Sequence, residues 1–199
     1  MTNLTPKDIE DFWIRVYLNP KLDFRTACAN RSYRDLNRTI HGMAKNQSKE
    51  KYQKISKVLI GVSDELINMD FNDQISFDIS HELKCIELIK AFKTNYGAID
   101  FTIGQAQKWI NMNLKYLFAL GESRVPGITK NYIFFHIPID NIIQDLLLHK
   151  SKISRIPVAW SRMNNYDMYI NYQREVRRVY AEITPMDVEF RLFNEVLEI

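Results

Sequence analysis

Lys108 and Asp140 are the side chains whose surroundings in the sequence best fit covalent chemistry. Lys108 precedes Trp109 in a segment of helical period. A lysine desolvated beside an aromatic ring gives up its proton more readily and becomes a nucleophile able to form a Schiff base. Asp140 ends the apolar run Phe134-Phe135-His136-Ile137-Pro138-Ile139. A carboxylate held against such a surface has a raised pKa and serves as a general base. Each residue also has a plainer reading. A lysine beside a tryptophan can snorkel at a surface, and an aspartate in the first turn of a helix is favoured by the helix dipole alone. His136 reads either as a site histidine beside a carboxylate or as a hydrogen-bonded histidine where a helix begins. Trp160-Ser161, followed by Tyr166, Tyr169 and Tyr172, reads as core packing or as a stacking surface for bases, with Arg174, Arg177 and Arg178 on phosphates. The nucleotide-binding glycine loops, zinc-protease helix, serine-hydrolase elbow and calcium loop are absent from the sequence.

These residues need helices to hold them. Thr5-Pro6-Lys7-Asp8 and Thr184-Pro185-Met186-Asp187 each offer a capping hydroxyl, a proline at the first helical position and a carboxylate two residues later. They predict helices over 6–18 and 185–197. Periodicity predicts further helices at about 22–44, 48–68, 79–94, 103–120, 139–149 and 164–182. Ser76–Ile79 and Tyr132–Phe135 read as short strands. In 103–120, Ile103, Ala106, Ile110, Leu114 and Leu117 form a core stripe. Lys108, Asn111 and Lys115 form a separate polar row, and Trp109, Met112 and Tyr116 an aromatic one.

The expected fold class is all-α: a compact two-lobed helical fold with at most a few short strands. It is one globular unit over 1–199, with lobes at 1–95 and 96–199. The chain's 199 residues, 46% of them apolar and 26% charged, suit one globular core, and six glycines and six prolines are too few for a turn-rich β-sandwich. Cys28 and Cys85 lack zinc spacing and read as buried thiols in a reducing compartment. No signal-peptide pattern opens the chain, and its apolar stretches fall short of the ~20 residues of a membrane span. A cytoplasmic location without membrane contact is expected. The net charge of +3 conceals blocks: ten Lys/Arg against three acids over 21–57, six acids and no base over 61–83, seven Lys/Arg against two acids over 148–180. The basic blocks read either as solvated helix surface or as a face for phosphates.

The stretch Gly104-Gln105-Ala106-Gln107-Lys108-Trp109-Ile110-Asn111 resembles the hairpin-to-helix segment of helix-hairpin-helix DNA glycosylases, in which a lysine follows a glycine-rich hairpin. His136-Ile137-Pro138-Ile139-Asp140-Asn141-Ile142-Ile143 is similar to the family's downstream proline–aliphatic–aspartate motif, which opens a helix. The likeness is nearest to bacterial oxoguanine glycosylase-like proteins and spans about 45 residues, Gly104 to Leu148. Two departures stand out. Gln105-Ala106-Gln107 occupies the place of the second hairpin glycine, and Glu122–Tyr132 lengthens the spacing. Pro126-Gly127-Ile128-Thr129-Lys130 offers a competing hairpin.

The resemblance implies DNA repair by base excision, a hydrolase and lyase chemistry acting on a nucleotide flipped out of DNA. Lys108 would attack the sugar and Asp140 would assist. Trp109, His136 and Trp160 would contact the base, and Lys130, Lys152 and Arg155 would hold phosphates. DNA is the implied partner, and no metal or other cofactor is implied. One alternative stays open: a non-catalytic helical module that binds nucleic acid or a protein partner, in phage or mobile-element defence. Geometry separates the two: the enzyme needs Lys108 and Asp140 to face one cleft, whereas the binding module predicts a flat basic face with neither residue recessed.

Overall fold

The computed structural model describes residues 3–19, 21–46, 48–97 and 99–194. Among them are eight α-helices and no strand: α1 Pro6–Tyr17, α2 Phe24–Arg34, α3 Lys49–Asn68, α4 Gln74–Tyr96, α5 Ile103–Leu120, α6 Asn141–Ser151, α7 Tyr166–Val179 and α8 Pro185–Phe193. Short 3-10 turns lie at Asn37–Thr39, Met43–Lys45, Tyr132–Phe134 and Trp160–Arg162. No helix among the described residues is long and apolar enough to cross a membrane.

The fold is all-α, and the two expected strands are corrected. Ser76–Ile79 lies inside α4, where the Asp73 side chain accepts from the Ser76 amide at 2.7 Å and starts the helix several residues before 79. Tyr132–Phe134 is a 3-10 turn. The single helix expected over 22–44 stops at Arg34. Two short 3-10 turns follow, the second entered through Gly42 at φ 85, where a glycine avoids the strain a side chain would bring. The last helix is described to Phe193, and the expected stretch 195–197 lies outside the described residues. Both cysteines are buried free thiols; burial pushes Cys28 up to about 12 and Cys85 well above its ordinary range.

Helix α5 is the axis of the molecule. Every residue from Ile103 to Lys115 is buried, so the stripe, the aromatic row and the polar row all face protein. Trp109 packs toward α2, its indole N–H donating to the Ala29 carbonyl at 3.1 Å. Thr102 caps the helix in a capping box with Gln105. Its hydroxyl also donates to the Ser161 carbonyl at 3.0 Å, which ties the helix start to the Trp160 turn.

Gly104 is required by that contact. A Cβ at this position would stand 2.8 Å from the Trp160 carbonyl carbon and closer still to its oxygen. The glycine therefore admits backbone from another segment, and it sits inside the first turn of α5 and not in a hairpin. Gly104→Ala should lower stability by about 1–3 kcal/mol or more, because backbone must move. Gly61→Ala, in α3 with nothing within 4 Å of the added methyl, should raise it by up to about 1 kcal/mol through helix propensity. Chemical denaturation of the two variants checks this; midpoints that move together would contradict the packing.

Candidate functional site

The extended segment His136–Asp140 runs through the interior, with His136, Ile137 and Ile139 fully buried. Buried backbone without a strand partner must find its hydrogen bonds elsewhere, and two glutamines supply them. Gln107 of α5 accepts from the Ile139 amide at 3.2 Å and donates to its carbonyl at 2.9 Å. Gln173 of α7 does the same for Ile137, at 3.2 and 2.7 Å. Each carboxamide stands in for a neighbouring strand.

That clamp brings Asp140 to Lys108. Lys108 Nζ donates to Asp140 Oδ2 at 2.6 Å, with side-chain exposures of 5% and 18%. The other oxygen, Oδ1, accepts from the Ile143 amide at 2.9 Å and caps α6. The carboxylate thus meets one cation and the positive end of a helix dipole. Farther along the polar row, Lys115 pairs with buried Glu189 of α8. Burial pushes the Glu189 carboxyl up, against the opposing pull of Lys115 and Lys108.

A second cluster surrounds His136. Its Nε2–H donates to Asp78 of α4 at 2.9 Å. With the neutral ring protonated there, Nδ1 accepts from the Tyr169 hydroxyl at 2.8 Å. Asn111 of α5 donates to the Tyr169 oxygen at 2.8 Å, and its own oxygen meets His81 Nε2 at 3.0 Å. Tyr166 lies 2.9 Å from His81 Nδ1, and Arg177 and Gln74 complete the shell of Asp78. Burial would raise the Asp78 pKa, but His136, Gln74 and Arg177 together hold it well below the usual carboxylate range. Burial pushes His136 down to about 4 and His81 well below its ordinary value.

Lys108 and Asp140, 32 residues apart in sequence, are in direct contact. The other six residues are dispersed. Trp109 is sealed against Tyr33, at 5.0 Å between ring centres, and Phe101, at 6.2 Å. His136 finds its carboxylate in Asp78 and not in Asp140. Trp160 is buried over Gly104. Lys130 pairs with Asp70 at 2.7 Å. Lys152, the C-cap of α6, and Arg155, paired with Asp145, border a shallow depression of about 350 Å³ with Tyr172 and Glu175. Tyr166 and Tyr169 belong to the buried cluster, and Arg178 pairs with Glu175 at 2.7 Å. The alternative hairpin at Pro126–Lys130 is a turn stapled by Glu122, which accepts from the Gly127 amide at 2.5 Å.

Sequence reasoning missed Gln107, Gln173, Asp78 and the Lys115–Glu189 pair. A signal for Gln107 existed: Gln107 and Asn111 stand at i, i+4 on a helix otherwise too apolar for a surface, the pattern of an interior polar network. Among the described residues, no group of three His, Cys, Asp or Glu side chains comes together as a metal site would require.

The histidine cluster makes stability depend on pH. A buried histidine with a lowered pKa leaves the unfolded chain binding the extra proton between about 4 and 6.5. Stability is therefore fully present above about 6.5 and declines as pH falls toward 4, on the order of 3 kcal/mol for His136. Asp78, lowered, adds a loss only below the unfolded carboxylate value of about 3.9. Denaturant midpoints measured from pH 7.5 down to about 4 should fall throughout the lower half of that range; a flat profile would show that His136 is not buried neutral.

No protein-family model, curated protein or solved structure matches the chain.

Proposed function

We propose that the chain is a DNA glycosylase-like base-excision enzyme in which Lys108 is the nucleophile and Asp140 its proton acceptor. The observation that carries this reading is the recessed contact, 2.6 Å, between a lysine in the middle of a helix and an aspartate at the cap of the next. An ammonium has no lone pair, so the proton must leave first. Asp140 Oδ2 is within hydrogen-bond reach of the Lys108 nitrogen.

The steps balance as follows. The Lys108 proton passes to Asp140, and the neutral amine attacks C1′ of a flipped-out nucleotide. The C–N bond to lysine forms as the glycosidic bond breaks, and the bonding pair leaves with the base, which takes up the proton that the attacking nitrogen sheds. Opening of the sugar ring converts the adduct to a protonated Schiff base. As the C1′–O4′ bond breaks, O4′ takes the proton held by Asp140, and the regenerated carboxylate stabilises the positive charge of the Schiff base. The proposed partner is DNA and the proposed location cytoplasmic.

A second reading, the non-catalytic helical module, is favoured by one observation. The pair is closed over, and a buried lysine–aspartate contact also fits a structural role. In the enzyme, Asp140 or the first turn of α6 must shift before substrate reaches the lysine.

Borohydride trapping on duplex DNA carrying oxidised guanine or an abasic site separates the two. Wild type should form a covalent adduct. Lys108→Gln, whose amide still donates to Asp140, should keep the fold and form none. Asp140→Asn should bind DNA and turn over about 100-fold or more slowly, as expected on losing a positioned base. An adduct with Lys108→Gln removes Lys108 from the role. A wild type that neither traps nor cuts leaves the binding module.

A further inference from the structure

On the other side of α5, the molecule has a groove of about 1060 Å³ between α2 and α3, bordered by the end of α1. Five cations line it: Arg31, Arg34, Arg38, Lys49 and Lys57. Among the described residues no aspartate or glutamate does. Arg31 pairs with Asp35 at 3.0 Å from behind. The other four are exposed and have no carboxylate in ion-pairing range among the described residues. Like charges gathered in a concavity without counter-charges repel one another, and their field is focused on whatever anion enters.

Four tyrosines share the groove: Tyr17, Tyr33, Tyr52 and Tyr96. Three of them are held in place by neighbouring side chains. Tyr52 donates to Asn30 at 2.6 Å, and Tyr17 donates to Tyr116, which in turn donates to Asp35 at 2.6 Å. Tyr33 and Tyr52 rest on the buried Trp109 ring. The Arg31 guanidinium lies 4.4 Å over the Tyr17 ring. Fixed aromatic faces interleaved with unpaired cations offer stacking to bases and contacts to phosphates at once.

We propose that this groove binds single-stranded nucleic acid. The volume stands at the upper end of the range of small-molecule pockets, about 300–1000 Å³, and the cations are carried on both walls, Arg31 and Arg34 on α2 with Arg38 just after it and Lys49 and Lys57 two turns apart on α3, which suits a chain of phosphates. Tyrosine faces within a concavity reach only bases already free of a duplex stack. The site shares no residue with the Lys108–Asp140 pair and stands whether or not that pair is catalytic.

The test is fluorescence anisotropy with the full chain and a fluorescein-labelled oligothymidylate of about ten nucleotides, within the usual span of such sites. Duplex of the same length and free ATP serve as competitors. Wild type should bind the single strand, more tightly than the duplex, and lose affinity steeply with salt. Arg34→Ala with Arg38→Ala, both exposed, should weaken binding at least ~10-fold and flatten the log–log salt slope by about 1.4. Tyr33→Leu should weaken it ~5-fold or more, and Tyr33→Phe, which keeps the ring, should not. Lys90→Ala with Lys93→Ala, on the exposed side of α4, should leave binding unchanged. The proposal is overturned by no binding, by tighter binding to duplex, by ATP competing as well as the oligomer, or by an arginine pair variant that binds as wild type. Failed borohydride trapping with oligothymidylate binding intact would remove the base-excision reading alone.

Discussion

A helix buried on every side cannot leave its polar side chains to water, and α5 carries many of them inside. Gln105, Gln107, Lys108, Asn111, Asn113 and Lys115 are all buried. An unpaired buried amide or ammonium costs more than the net gain from most single contacts. Each must therefore meet a partner, and the partners are spread over the segments packed around the helix. Gln105 donates to Thr39, Gln107 clamps Ile139, Lys108 pairs with Asp140, Asn111 joins the histidine cluster, Asn113 donates to Ser63 and Lys115 pairs with Glu189. Each of these contacts fixes one neighbouring element against the axis.

The same constraint explains why the interior is ionic. Apolar burial is non-directional, and hydrophobic helices of similar size can pack in several registers. Directed contacts admit one. A buried ion pair adds little to stability on its own, because desolvation offsets most of the attraction, whereas removing one partner is costly. Lys108–Asp140 and Lys115–Glu189 lie seven residues apart on α5 and tie α6 and α8 to it. Specificity of arrangement is what they contribute, and any reactivity of Lys108 is built on that arrangement.

The sequence revealed the helices better than the environment of their side chains. The 103–120 helix has the expected bounds because Thr102 and Gly121 mark both ends and the stripe between them has a strict period. The Lys108–Asp140 contact was also legible, through two short motifs, though contact is what the structure shows and catalysis is not. What periodicity could not convey is that the polar row faces inward. A period of 3.6 separates faces without saying which of them meets water. His136 was read beside the nearest carboxylate in sequence, yet Asp78, 58 residues away, is its partner. Long-range pairing between helices leaves no local trace. Tyr33, Tyr52 and the groove cations fall within a basic block visible as charge, but only the packing of α2 on α3 reveals that they share a concavity with Tyr17 and Tyr96.

These restraints also say which part of the site can open. At its start, α5 is held by Gly104 under the Trp160 backbone, with the Gly104 amide donating to the Met163 carbonyl at 2.9 Å. Toward its other end it is held by Lys115 against Glu189. Rotation or sliding of α5 would break both, together with the Asn111 network midway. On the facing side, Ile139 is clamped by Gln107, but among the described residues the Asp140 side chain is hydrogen-bonded to Lys108 and to its own cap at Ile143 alone. The next residues, Asn141 and Ile142, are exposed. Freeing the lysine therefore asks for a rotation of the Asp140 side chain, which gives up a helix cap worth about 1 kcal/mol and the ion pair, the costlier of the two losses, while the core stays in place. Access to Lys108, if a ligand supplies that energy, runs through the first turn of α6.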